Sequence, residues 1–124
     1  MSSFRENRED FTPLIRQSQV VNKKVRNMEK EDVGRIEDLM IDPANGHVIY
    51  AVLSFGGFLG MGTKLFAIPW ASLNFDVAGD EFILNVDKDR LRAAPGFDRE
   101  DWPNMSEPRW RNQIAGHYGH PGMH

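Results

Sequence analysis

The chain has 124 residues, 40% hydrophobic and 27% charged, with a formal net charge of −3 at pH 7 and no cysteine. That length suits one domain with tails, and the missing cysteines exclude a disulfide scaffold, thiol catalysis and cysteine-based iron–sulfur or zinc sites. No run approaches the roughly 18 apolar residues of a membrane helix, and no part of the chain carries the Lys and Arg excess that phosphate neutralisation needs, which argues against nucleic acid as the partner.

The opening MSSFRENRED is polar and charged, unlike a secretory signal, so the expectation is a cytoplasmic protein. Residues 1–17 read as a loosely held, partly disordered arm interrupted by Thr12-Pro13. Short strands and turns follow. Val25 to Met28 reads as the first strand, and the charged run from Glu29 to Asp32 turns the chain. In the next strand, Val33 to Ile41, the apolar residues Ile36, Leu39 and Ile41 break the period of two, which predicts a bulge near Glu37-Asp38. Asp42-Pro43-Ala44-Asn45-Gly46 is a turn in which Asn-Gly is expected to supply the left-handed positions that close a hairpin.

His47 to Phe55 is apolar on both faces: Val48, Tyr50 and Val52 on one, Ile49, Ala51, Leu53 and Phe55 on the other. Such a strand is central, or is covered by a second layer or a partner. Lys64 to Trp70 repeats this character, and Pro69, which cannot donate to a ladder, should end that strand or place it on an edge. Glu81 to Val86 is the last predicted strand. A helical turn from Asp87 to Arg92 follows, capped by Asp87 and stopped by Ala93-Ala94-Pro95-Gly96. In the tail, residues 98–124, Ser106-Glu107-Pro108 predicts a capped helix start. Trp110, Ile114 and His117 or Tyr118 then recur at helical spacing, with Gly116 and Gly119 able to end the helix.

Several features look chemical and have plainer readings. The loop from Phe55 to Lys64 has four glycines followed by Thr-Lys, but a phosphate loop needs Gly-Lys-Ser/Thr running into a helix, whereas here a strand follows. It reads instead as a hairpin connection whose Phe58, Leu59 and Met61, with the neighbouring Phe55 and Trp70, make a candidate contact surface. His117, His120 and His124 have metal-like spacing among glycines and Pro121 that would leave the rings unoriented, and His47 stands alone beside a turn. Glu37-Asp38 and Asp80-Glu81 read as solvated edges and turns. No nucleophile, general base, metal site or cofactor is predicted, so the expectation is a non-enzymatic protein. Trp102, Trp110, Ile114 and Tyr118 are the residues expected to dock the tail, since burying a large ring contributes on the order of 2–3 kcal/mol.

In order along the chain, VGRIEDL (33–39), DPANG (42–46), YAVLSFGGFLG (50–60), FAIPW (66–70) and LRAAPGF (91–97) together resemble a PRC-barrel domain, over about residues 18–97. The resemblance implies an all-β fold: a small, strongly bent antiparallel β-barrel of about six strands, here with a short C-terminal helix. The family takes its name from the cytoplasmic part of the photosynthetic reaction-centre H subunit and includes the C-terminal domain of a ribosome maturation factor. It implies an adaptor that binds partner proteins, with a homodimer as the default assembly. The alternatives it implies are a ribosome- or RNA-maturation-associated factor and an accessory of photosynthetic electron transfer.

Overall fold

In a computed structural model, residues 13–56 and 63–119 are described, and among them the chain builds one seven-stranded sheet with short helices around it. The strands are β1 (Lys24–Asn27), β2 (Asp32–Asp42), β3 (His47–Gly56), β4 (Thr63–Pro69), β5 (Leu73–Asp76), β6 (Glu81–Leu84) and β7 (Gly96–Phe97). The helices are α1 (Gln17–Val20), α2 (Lys88–Arg92) and α3 (Pro108–Tyr118), and a 3-10 turn spans Trp70–Ser72.

Sheet order is β5-β6-β1-β2-β3-β4-β7. The pairings are antiparallel except that β1 and β6 run parallel. The parallel pair corrects the purely antiparallel expectation. The long excursion through β2 to β5 brings the chain back to the free edge of β1 in β1's own direction, and parallel neighbours need just such a long connection. The end strands β5 and β7 are not paired with each other, so the sheet is not closed. It is nevertheless rolled. Four strand spacings separate β4 from β6 and would put them about 19 Å apart in a flat sheet. Trp70, immediately after β4, instead meets Phe82 of β6 edge-on, with ring centroids 5.7 Å apart.

The bulge falls where the period broke. Pairing of β2 with β3 jumps from Ile36↔Leu53 to Asp38↔Val52, leaving Glu37 as the extra residue, and a second shift lies between Met40 and Ile41. β3 is central, with Tyr50, Ala51, Val52 and Leu53 all buried, so its two apolar faces are both used. β4 ends at Pro69, as its missing N–H requires.

Two local readings change. Asn45 does not adopt a left-handed conformation; only Gly46 in that turn does, at φ 80. Asn45 instead accepts a hydrogen bond from His47 N through its side chain, while Asp42 Oδ1 accepts from Ala44 N. Side-chain acceptors thus do what a second positive φ would have done. At α3, Pro108 occupies the first turn as expected, but the cap position is Glu107 and no side chain caps it. Ser106 donates its own N–H to Asn104 Oδ1. The helix passes through Gly116 and ends at the left-handed Gly119, φ 74.

One core serves the sheet and the tail. Val25, Val33, Ile36, Leu53, Leu65, Leu84 and Leu91 share it with Met105, Ile114 and Tyr118. Val20 of α1 is buried as well, three residues beyond the 1–17 segment read as an arm. Asn27, 1% exposed, closes the 28–31 turn: its Oδ1 accepts from Glu29 N and Glu31 N, and its Nδ2 donates to Glu31 Oε1 at 2.7 Å.

Candidate functional site

Phe55 and Trp70, read as parts of one surface, lie at opposite ends of the β3–β4 hairpin. Pairing runs from Tyr50↔Pro69 to Gly56↔Thr63, with Phe55 opposite Lys64, so some six residue steps, about 20 Å, separate them. Trp70 is half-buried against Phe82, which in turn packs on Phe75. Phe55 is half-buried at the other end, edge-on to Phe66, with the Arg92 guanidinium 5.7 Å from its ring centroid. Phe58, Leu59 and Met61 lie outside the described residues, as do His120 and His124.

The four tail residues converge on their own sheet. Ile114 is fully buried and Tyr118 nearly so. The Phe97 ring is flanked by Trp102 at 5.2 Å and Trp110 at 6.3 Å. Trp102 donates its Nε1–H to Arg99 O at 2.8 Å and stays 37% exposed. Arg99 pairs with Glu37, the bulge residue, and Lys64 pairs with Asp98. His117 is held by Arg90: the guanidinium donates to His117 O while the imidazole Nε2 lies 2.8 Å from Arg90 O.

Of the two acidic pairs, Glu37, Asp80 and Glu81 are in ion pairs. Asp80 meets Lys23 at 2.8 Å and Glu81 meets Arg26 at 2.9 Å, and Asp38 Oδ1 accepts from the neighbouring Leu39 N. Among the described residues no three His, Asp or Glu side chains gather as a metal site, and no helix is long and apolar enough to cross a membrane.

A hollow of about 200 Å³ was not anticipated from sequence. It lies between the β2–β3 hairpin end and the start of α3, lined by Met40, Ile41, Ile49, Tyr50, Met105 and Arg111 among others. The relevant positions are scattered over two segments some sixty residues apart. The one legible signal was a tyrosine in the most apolar strand, which needs a partner for its hydroxyl.

Both tyrosines of the chain, Tyr50 and Tyr118, have buried hydroxyls; that of Tyr50 faces the Arg111 guanidinium, and that of Tyr118 has no hydrogen-bond partner among the described residues. Burial pushes both above the ordinary phenol value, opposed by Arg111 at Tyr50 and by Arg90 at Tyr118. In the unfolded chain both ionise near pH 10. The folded state therefore holds more protons above that pH, and stability is complete below about pH 10 and falls as the pH rises beyond it. Tyrosinate absorbance is expected to stay low past pH 10 and then to appear together with loss of far-ultraviolet circular dichroism. Smooth ionisation of the still-folded chain near pH 10 would contradict this.

A model of the PRC-barrel domain matches residues 13–91. No curated protein sequence matches the chain. Among solved structures, one described as a 16S ribosomal RNA processing protein, RimM, from Pseudomonas aeruginosa is similar at 19% identity and TM-score 0.42. The alignment covers 64% of this chain and 48% of that one, so the chain spans about half the length of that protein.

Proposed function

The chain belongs to the PRC-barrel family, and from that premise we propose that it is a non-enzymatic, cytoplasmic docking module that self-associates and binds partner proteins. The observation that carries this reading is the end of the β3–β4 hairpin. Gly56 pairs with Thr63, so the sequence GFLGMG (57–62) connects two strands of the rolled sheet, and three of its six residues are large and apolar. Phe55 stands half-buried beside that connection. Three large apolar residues within a six-residue connection suit a protein contact better than they suit solvent, and a homodimer is the commonest closed assembly.

Sedimentation of the full chain over a range of concentrations tests this. A dimer is expected, shifting to monomer in the double variant Phe58→Asp with Leu59→Asp while circular dichroism stays unchanged. A wild-type chain that remains monomeric at high concentration would overturn self-association. Salt-sensitive co-sedimentation with small ribosomal subunits, unaffected by the double variant, would replace the docking reading with a ribosomal one.

A further inference from the structure

Like charges face each other where β1 begins. Lys24 of β1 stands directly opposite Arg35 of β2 in the antiparallel ladder, and both residues are exposed. Cations opposed in this way destabilise a sheet, and an anion between them removes the repulsion. Among the described residues neither Lys24 nor Arg35 has an ion-pair partner. The Arg35 guanidinium donates to Asn22 O at 3.0 Å, which leaves most of its N–H donors open to a ligand. Lys23, Lys24 and Arg35 line one open hollow of about 290 Å³, together with the amide side chains of Gln19 and Asn22. The acid on its lining is Asp80, whose carboxylate pairs with Lys23 at 2.8 Å and stays 71% exposed. Three cations thus share one carboxylate, in a chain whose net charge is −3.

We propose that this hollow docks a short acidic segment of a partner protein, with one carboxylate between Lys24 and Arg35 and another beside Lys23. The inference rests on the docking reading above and gives that partner a chemistry. Exposed lysine and arginine side by side select an anion, which the guanidinium can hold through paired hydrogen bonds. Their surroundings select a short one. Further along the same two strands Arg26 is already paired with Glu81, and Asp32 stands opposite it. A nucleic-acid backbone carries a charge at every phosphate and would run from the cations onto these carboxylates. A peptide can place a few carboxylates in the hollow and continue uncharged. The row through Lys24 and Arg35 leads on to Ser54 of β3, two residues before Gly56 at the hairpin end, so a partner held here reaches that contact too. Asp80 competes with the partner for Lys23.

Titration of the ¹⁵N-labelled full chain with N-acetyl-Glu-Asp-Glu-amide, its Gln-Asn-Gln counterpart, inorganic phosphate and a short uridine oligonucleotide tests the proposal by amide chemical shifts. Saturable shifts at Asn22, Lys24 and Arg35 are expected with the acidic peptide, at an affinity about tenfold above the neutral one. They should fade in about 1 M salt, where charges are screened within about 3 Å. Lys24→Gln should weaken binding several-fold while leaving the melting temperature unchanged or higher, because it removes one of two opposed cations. Asp80→Asn should tighten binding several-fold, since it frees Lys23 and asparagine tolerates the left-handed φ of 55 at that position. Equal affinity for the two peptides, or no shifts at millimolar peptide, would overturn the proposal. Tighter binding of phosphate or of the oligonucleotide would also overturn it, by making a phosphate the occupant. So would a large drop in melting temperature in Lys24→Gln, which would mean that the lysine serves the fold. A chain that sediments as a monomer yet binds the acidic peptide would separate failure of self-association from failure of this site.

Discussion

Gly34→Ala is expected to destabilise the fold by about 3 kcal/mol or more. Gly34 sits in β2 at φ 122, a conformation that side-chain-bearing residues rarely adopt, and it pairs with Val25 of β1. A Cβ there would run into the carbonyl oxygen of Ser54 on β3, a backbone atom with no rotamer to yield. Ser54 pairs with Arg35, so relief would require opening the β2–β3 ladder at the centre of the sheet. Urea denaturation should show a lower midpoint, or no cooperative transition at all. Gly116→Ala is the control. Gly116 lies in α3 with open space where its Cβ would go, and the change should stabilise by about 0.5–1 kcal/mol. If both substitutions were neutral, the close approach of β2 to the Ser54 carbonyl would be wrong.

Ile114→Ala carries the other large effect, about 2–5 kcal/mol for a fully buried aliphatic side chain cut back to a methyl. Ile114 is completely buried and α3 packs on β4, so the truncation leaves a cavity between tail and sheet. The urea midpoint should fall with an unchanged slope, and the drop relative to wild type should be the same at every protein concentration, because the helix packs on its own chain. Gln113→Ala, one residue away on the exposed face, should move stability by no more than about 0.5 kcal/mol. A drop relative to wild type that changes with protein concentration would mean instead that the helix is exchanged between copies.

Much of this architecture was legible because it follows from local chemistry. Asp87 accepts from Arg90 N as a helix cap, Pro69 stops β4, Glu37 is the bulged residue and Gly119 closes α3. Each effect acts within a few residues, so the sequence pattern contains it. The short strands β5 and β7 were not legible. Leu73–Asp76 and Gly96–Phe97 are too short to show a period, and pairing with a neighbour already in place decides them. Asn27 was read as an ordinary strand residue because its three hydrogen bonds depend on the turn that follows it.

The sequence by itself determined the mainly-β class, the order of the main strands, the capped helical turn and the family, because periodicity, turn residues and motif order are properties of neighbours along a chain. Tertiary structure alone decided the parallel β1–β6 pair, the curl that sets Trp70 on Phe82, the separation of Phe55 from Trp70, and the meeting of Tyr50 with Arg111. Those features depend on which distant segments share space, and that is settled only when the whole apolar surface is buried at once.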